Sequence, residues 1–260
     1  TMNLPIIIDA GIKILIALIE GLTNAIPKLI EMLPQIITTI VKTLSNNFPK
    51  ILEAGGKNMS NQVNAKAGLS VKDLVTTGIF TALLFVFIMV GGVFFATNPV
   101  LTFFMPAGSA LLAGPVYLLM IAKVHKRWSI TIMGVIMAII WFVTGMHWAF
   151  ALGYLIMAVV ADFVAGTKQY KSKKINSLSY ILFSLGGTGS YLVFFADPQG
   201  WAQTMLGNGT EQSYIDTMQA TANAGIFIAM FAALLVTASI SAFVGCKMLK
   251  KQFEKAGITA

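Results

Sequence analysis

Aromatic and polar side chains that could bind a small organic molecule occur between the long apolar runs of this sequence. Trp141, His147 and Trp148 lie around one short polar break. Stacking rings and a few placed hydrogen-bonding groups are what a concave site for such a ligand needs. The other substrate-binding candidates are Asn98, Tyr191 and Trp201. The pattern predicts a binding site, although Trp and Tyr side chains also serve as membrane-interface anchors without any ligand.

Catalytic chemistry is weakly supported by this sequence. Intramembrane proteolysis needs a serine and a histidine within hydrogen-bond reach, and the candidate pair is Ser190 with His147. We expect poor geometry for that pair, with His147 at the membrane edge and Ser190 several residues deeper. The motif G-x-x-x-x-G-K-[ST] is absent, because Gly56-Lys57-Asn58 fails its spacing and its hydroxyl. We therefore predict no enzymatic activity, no catalytic residue and no cofactor, and the single cysteine argues against a thiolate metal cluster.

One acid, Asp162, lies well inside a long apolar run. A charge within a membrane is costly and is often retained for function, such as a proton or sodium relay. Asp162 lies four residues before Gly166, close to a basic loop. We expect it to pair with Lys168 or with helix-end dipoles instead of acting as a relay.

Six apolar runs are long enough to span a membrane, which takes about 20 helical residues for about 30 Å of hydrocarbon. Two prolines and two glycines between 106 and 115 indicate that the second span is broken or short. The glycines of residues 186–190 in the fifth span are expected to permit close helix packing. The predicted spans are 72–97, 100–122, 129–145, 148–166, 177–196 and 222–247.

Loops that contain lysine or arginine alternate along the chain with loops that contain neither. Basic residues precede the first span and follow the second, fourth and sixth spans, whereas the other three loops contain none. Loops rich in lysine and arginine stay on the cytoplasmic side of a membrane. The sequence thus predicts an all-α polytopic protein of the cell membrane, with both ends of the six-helix domain in the cytoplasm.

Composition supports a location in the lipid bilayer. The 260 residues are 57% hydrophobic and 11% charged, with a mean hydropathy of +0.79, whereas soluble domains carry about 25% charged residues. The formal net charge of +8 could suggest nucleic acid. Its basic residues fall in short clusters between apolar runs, as juxtamembrane anchors do. We therefore expect no direct nucleic-acid binding by residues 59–260.

Residues 1–58 form a separate domain with an 11-residue repeat. Its polar positions show the period, and the residues of one series are Asp9, Glu20, Glu31, Lys42 and Glu53. A period of 11 is about 3.67 residues per turn, so each series stays on nearly the same face of a helix. The apolar face is wider than a soluble surface helix needs. We expect this amphipathic segment to oligomerise or to enter lipid.

The repeat resembles the hydrophobic repeat region of phage tail tape-measure proteins, in the blocks at residues 4–11 and 26–31. That resemblance implies a segment that leaves the tail and helps to deliver DNA across the host envelope. A membrane-surface helix or an artificial fusion partner are the alternatives. Residues 54–58 read as a linker and Met59 as a native start, so we interpret the chain as a chimera joined near Met59.

The first predicted span places Gly78 and Ala82 four residues apart on one helix face. Such small pairs let another helix approach closely, in the same chain or in a partner. With six spans and a lysine-free aromatic face, residues 59–260 resemble the substrate-binding S component of an energy-coupling-factor transporter. The likeness is to the uncharacterised streptococcal and treponemal type.

The resemblance implies partners and roles for named residues. The face with Gly78 and Ala82 would dock on a shared transmembrane coupling protein, although glycine replaces the usual first alanine. Two ATPase subunits would drive import of a vitamin or similar micronutrient, and the loops at Asn98 and at His147 and Trp148 would close over it. The alternative function is a membrane receptor or channel element for phage DNA uptake, with residues 1–58 as the phage-derived partner.

Overall fold

The computed structural model describes residues 68–250, which are helical with short connections. The predictions made for residues 1–58 and for the junction at Met59 lie outside the described residues. The helices, in chain order, are α1 (Val71–Ala96), α2 (Met105–Lys123), α3 (Ser129–Val143), α4 (Trp148–Gly166), α5 (Lys173–Ser184), α6 (Gly189–Ala196), α7 (Pro198–Gly207), α8 (Gln212–Thr221) and α9 (Ala224–Met248).

Five segments are long and apolar enough to cross a membrane, with α5 and α6 counted as one. The sixth apolar helix, α3, has 15 residues, which at about 1.5 Å per residue is shorter than the hydrocarbon core. The predicted span 129–145 therefore exists as a helix but ends two residues early. The all-α membrane fold predicted from the sequence is confirmed.

A capping box and an ion pair fix the beginning of α1. The Ser70 side chain accepts a hydrogen bond from the amide of Asp73, and the Asp73 carboxylate accepts one from the amide of Ser70 at 2.7 Å. Lys126, from the connection after α2, forms an ion pair with Asp73 at 2.9 Å. The first span therefore begins beside the loop that follows the second span, as alternating lysine-rich loops require.

The second span starts as a 3-10 turn, Leu101–Phe104, and continues as α2 with Pro106 in its first turn. Proline is tolerated there because its missing amide would have no intrahelical partner. The expectation of a broken or short span is wrong, because the span runs without interruption for 23 residues, Leu101–Lys123, and only the four residues of its opening 3-10 turn are not α-helical. Beyond it, α2 runs for 19 residues with Pro115 inside it.

Small residues bring the helices of the fifth span and α4 into close contact. The span bends through a 3-10 turn, Leu185–Thr188, between α5 and α6. A Cβ atom built on Gly186 would lie 2.8 Å from the Cα of Tyr154, which shows that the two backbones touch. The packing role expected for the glycines of residues 186–190 is confirmed.

Asp162 on α4 is buried and satisfied by neighbouring donors. One carboxylate oxygen accepts hydrogen bonds from the Thr131 amide at 2.8 Å and from the Thr131 hydroxyl at 2.9 Å. The other oxygen accepts one from the hydroxyl of Tyr170. The prediction that Lys168 pairs with Asp162 is wrong, since no ion pair joins the two residues within the described part of the chain. The alternative prediction, that a helix end stabilises Asp162, is correct, because Thr131 lies in the first turn of α3 and donates its amide to the carboxylate.

The connection between the fifth and sixth spans contains two short helices, α7 and α8, which the sequence analysis did not identify. Asp197 caps α7 by accepting a hydrogen bond from the amide of Gly200 at 2.9 Å. Each helix buries one face, with Trp201 on α7 and Met218 on α8. Most of their remaining surface is polar and exposed, so they lie on the end of the helix bundle.

Candidate functional site

An apolar cavity of about 310 Å³ lies among the three lysine-free connections. His147 lines it from the connection between α3 and α4, Tyr191 from α6, and Trp201 from α7. These are three of the six residues that the sequence predicted to bind substrate. They come from three different elements of the chain, and the fold brings them to one end of the bundle.

Asn98 and Trp148 do not line the cavity. The Asn98 side chain accepts hydrogen bonds from the amides of Val100 and Leu101 at 2.9 and 3.1 Å, and so fixes the connection that leads into the 3-10 turn of the second span. Trp148 is 47% exposed. Its ring lies 5.2 Å from that of His147, which does line the cavity. The structure therefore places both residues near the cavity without access to it.

Trp141 lies beneath the cavity, in the core. Its ring centroid is 4.9 Å from that of Phe150 and 5.2 Å from that of Phe85, both edge to face. This arrangement suits aromatic packing. The indole Nε1 is buried without a hydrogen-bond partner among the described residues. Phe150, against which Trp141 packs, lines the cavity, whereas Trp141 does not.

The imidazole of His147 is held by its own helix. Its Nδ1 accepts a hydrogen bond from the amide of Ala149 at 3.2 Å, which makes His147 the cap of α4. An accepting Nδ1 places the proton of the neutral ring on Nε2. Burial lowers the pKa of His147, favouring that neutral form. His147 can therefore offer one N–H donor beside the Trp201 ring, which lies 6.2 Å away at 22°.

Ser190 lines the same cavity as His147, although the sequence analysis expected it to lie deeper. The Ser190 hydroxyl accepts a hydrogen bond from the indole Nε1 of Trp201 at 2.9 Å. Within residues 68–250, no hydrogen bond joins the side chains of Ser190 and His147. Ser190 bonds to Trp201, and His147 bonds to the backbone amide of Ala149. A serine activated by histidine would need the two side chains to bond to each other. The absence of enzymatic activity stays a prediction.

Tyr191 fixes one wall of the cavity. Its hydroxyl donates to the backbone carbonyl of Thr102 at 2.6 Å and lies 3.2 Å from the Thr102 hydroxyl. This contact joins α6 to the 3-10 turn at the start of the second span. Tyr191 therefore presents its ring, and not a free hydroxyl, to the cavity.

The helices α7 and α8 cover the cavity and contribute residues that the sequence analysis missed. The hydroxyl of Tyr214 donates to the carbonyl of Ala96 at 2.7 Å, and the Asn208 amide donates to the carbonyl of Gly145 at 2.8 Å. These bonds tie the cover to the other two lysine-free connections. The missed lining residues, from these helices and from the rest of the wall, are Ala96, Thr102, Met105, Met146, Phe150, Met205, Thr210, Glu211, Tyr214 and Met218.

Charge and polarity in the cavity are sparse. Among the described residues that line it, Glu211 is the one with a formal charge, and it is exposed. Methionine thioethers and aromatic rings form most of the remaining wall. Such a wall suits a largely apolar ligand with few polar groups, because methionine and aromatic side chains adapt to planar and irregular shapes.

A family model matches residues 71–255, and its description is hypothetical bacterial integral membrane protein (Trep_Strep). The chain belongs to the Trep_Strep family. The match spans all of the described helices, so its description of an integral membrane protein agrees with the helices found here. No curated protein and no solved structure matches the chain significantly.

A second candidate site of this Trep_Strep domain lies on α1. A Cβ atom built on Gly78 would meet nothing within 4 Å, and Ala82 is exposed on the same face. No other part of the described chain therefore packs closely against Gly78, so internal helix packing does not account for this small pair among the described residues. Exposed Val86 and Met89 continue the face along α1.

Proposed function

We propose that residues 59–260 form the substrate-binding membrane subunit of an ATP-driven importer of the energy-coupling-factor type. Its cargo is a vitamin or a similar micronutrient. The cavity between His147, Tyr191 and Trp201 is the observation that carries the proposal. ATP hydrolysis belongs to two separate ATPase subunits, which act through a membrane coupling protein.

The size and lining of the cavity support a small organic cargo. Ligand sites of this class measure about 300–1,000 Å³ and are mostly apolar with a few placed polar groups, and this cavity has about 310 Å³. Trp201 offers a ring face, the Nε2 of His147 offers a donor, and Glu211 favours a positive or hydrogen-donating group. A flat, weakly polar ring system with one such group fits these side chains.

The closure of the cavity supports a binding subunit that releases its cargo on a signal. Trp201 on α7 and Met218 on α8 are buried, and the hydrogen bonds of Asn208 and Tyr214 hold this cover on the bundle. Each hydrogen bond contributes about 1 kcal/mol, so the cover can open without unfolding the spans. Docking of a coupling protein on the open face of Gly78 and Ala82 would be the event that favours opening.

A binding measurement with a matched tryptophan pair tests this function. The purified full chain is screened by native mass spectrometry against a panel of vitamins, and the affinity of each hit is measured by titration. We expect binding in the nanomolar to micromolar range. Trp201→Ala should weaken it at least about tenfold, because ring contacts of this kind dominate binding. Trp148→Ala is the control, as Trp148 is a tryptophan at the same end that does not line the cavity. Absence of any ligand, or equal losses in both variants, contradicts the proposal.

The repeat of residues 1–58 favours a second candidate function, a membrane receptor or channel element for phage DNA uptake. In this case the repeat is the phage-derived partner and the six-helix domain its target. The two functions are compatible in a chimera. Monomeric, soluble behaviour of a peptide of residues 1–58, without binding to membranes that contain residues 59–260, would exclude this second function.

A further inference from the structure

A second cleft, of about 610 Å³, lies at the lysine-rich end of the domain, between the connection after α2 and the connection after α4. Its lining includes His125, Arg127, Phe163, Thr167, Gln169 and Lys171. None of these residues contributes to the cavity described above. The cleft therefore needs an explanation of its own.

The charge of the cleft is positive. Arg127 and Lys171 line it, and no carboxylate does so among the described residues. The nearby acid Asp162 is already engaged, because both of its oxygens accept hydrogen bonds from Thr131 or Tyr170. The positive charges are thus left without an anion from this part of the chain.

One polar atom of the cleft is also left without a hydrogen-bond partner among the described residues. The Nε2 atom of His125 is buried with no hydrogen-bond partner among the described residues. Burial, together with the charge of Lys171, lowers the pKa of His125. A neutral imidazole can still donate through an N–H group. A buried polar atom without a partner is rare and calls for an unseen one.

The arginine is held in place by aromatic rings. Its guanidinium carbon lies 4.8 Å from the ring centroid of Phe163 and 5.7 Å from that of Trp128. Stacking on a ring restrains the guanidinium plane and leaves its N–H edge free to bind phosphate oxygens. By contrast, the adjacent Lys126 is engaged in its ion pair with Asp73.

The backbone around the cleft adopts a conformation that larger side chains rarely accept. Trp128, Gln169 and Tyr170 have φ values of 75°, 52° and 61°, and they are the non-glycine residues with positive φ in the described chain. All three belong to the two connections that form the cleft. Such conformations concentrate at binding sites, where the surrounding structure maintains them. Here the amide of Asn176 donates to the carbonyl of Tyr170 at 2.8 Å and helps to do so.

We propose that this cleft binds a phosphate ester through Arg127, Lys171 and His125. An acidic membrane phospholipid is the source that the surroundings favour. Trp128 and Phe163 are each 50% exposed beside the arginine, where they can contact an acyl chain while the headgroup enters the cleft. A soluble phosphate ester carries the same chemistry without the acyl chains.

Two ligands distinguish these sources. The purified full chain in a neutral detergent is titrated with short-chain dihexanoyl phosphatidylglycerol and, separately, with glycerol phosphate, and binding is followed by native mass spectrometry. Binding of the lipid alone assigns the site to lipid, and binding of both assigns it to the phosphate ester in general. Failure of both ligands to bind the wild-type chain overturns the proposal.

Charge-matched variants locate the site. Arg127→Gln and Lys171→Gln should each weaken binding at least about tenfold, because charge-assisted hydrogen bonds to phosphate are lost. Lys174→Gln removes an exposed lysine from the same end outside the cleft, and should change the affinity less than about twofold. Arg127→Lys keeps the charge and serves as the second variant if Arg127→Gln does not yield folded protein. Equal effects of Lys171→Gln and Lys174→Gln would mean that net charge alone attracts the ligand, and would overturn the assignment to this cleft.

Discussion

The indole Nε1 of Trp201 donates a hydrogen bond of 2.9 Å to the hydroxyl of Ser190. Both residues are buried, and both line the cavity at the lysine-free end. The bond joins the short helix α7 to the fifth span, so it holds the cover of the cavity against its wall. The strength of this bond is therefore a measure of how firmly the cavity is closed.

The first prediction concerns this bond. Trp201→Phe keeps an aromatic ring but removes the N–H group, and should lower the free energy of unfolding by about 1 kcal/mol. Ser190→Ala should have a similar effect, because it leaves the indole N–H without an acceptor. The double variant should cost less than the sum of the two single variants, as expected for two groups that bond to each other. Thermal unfolding followed by intrinsic fluorescence measures all three, and strict additivity would show that the bond does not form.

The second prediction uses two glycines of α1. Gly78→Leu should leave the thermal stability of the isolated chain nearly unchanged, because a side chain there meets open space. It should abolish co-purification with the coupling protein and the two ATPases, if the proposed docking face is correct. Gly91→Ala should instead destabilise the chain by about 1–3 kcal/mol through overpacking, since a Cβ atom there would lie 2.9 Å from the carbonyl carbon of Gly108.

Pull-down from membranes that contain all of the subunits measures the docking effect. Gly207→Ala is the control for glycine replacement at an open position outside α1, and it should co-purify normally. Retention of the partners by Gly78→Leu would remove α1 from the docking interface without affecting the proposed cavity.

The third prediction is a loss of stability in mild acid. The chain has two histidines, and burial lowers the pKa of both His125 and His147 in the folded state. The unfolded state, with an ordinary pKa of about 6.5, then binds more protons as the pH falls. The stabilisation is fully present above about pH 6.5 and is lost as the pH falls towards the lowered folded pKa values.

Melting temperatures between pH 8 and pH 5 measure this effect. The wild-type chain should lose stability below about pH 6.5, His125→Gln and His147→Gln should each lose less, and the double variant least. The same pH dependence in the wild type and the double variant would assign it to other groups.

The fourth prediction concerns orientation. Gln212 on α8 and Lys174 on α5 are both exposed, at the lysine-free and lysine-rich ends respectively. In a Cys246→Ser background, a membrane-impermeant maleimide added to intact cells should label Gln212→Cys and leave Lys174→Cys unmodified until the cells are opened, because lysine-rich loops stay inside. The reverse pattern would place the cavity on the cytoplasmic side and exclude its role in uptake.

The membrane fold was largely predictable from the sequence. Apolar runs of about 20 residues and the placement of lysine are local properties, and a bilayer turns them directly into spans and ends. The predicted span 148–166 coincides with α4, and 72–97 differs from α1 by one residue at each end. The close packing of residues 186–190 was also predictable, because small side chains in a span permit helix contact wherever their partner lies.

The candidate site was only partly predictable. Trp141 and Trp201 are both tryptophans near apolar helix ends and are 3% and 4% exposed. Only Trp201 lines the cavity, because Trp141 packs between Phe85 and Phe150 in the core whereas α7 places Trp201 beside His147. Composition does not distinguish these two outcomes.

By itself, the sequence determined that the chain enters a membrane, where its membrane spans lie and which connections share an end. The tertiary structure decided which of the aromatic side chains meet at a cavity, that α7 and α8 cover it, and that His125 and Arg127 face a second cleft with Lys171. The physical reason is distance along the chain. A span is stabilised by its own neighbours in lipid, whereas the contact of Tyr214 with Ala96 joins residues 118 positions apart and exists only after the bundle has assembled.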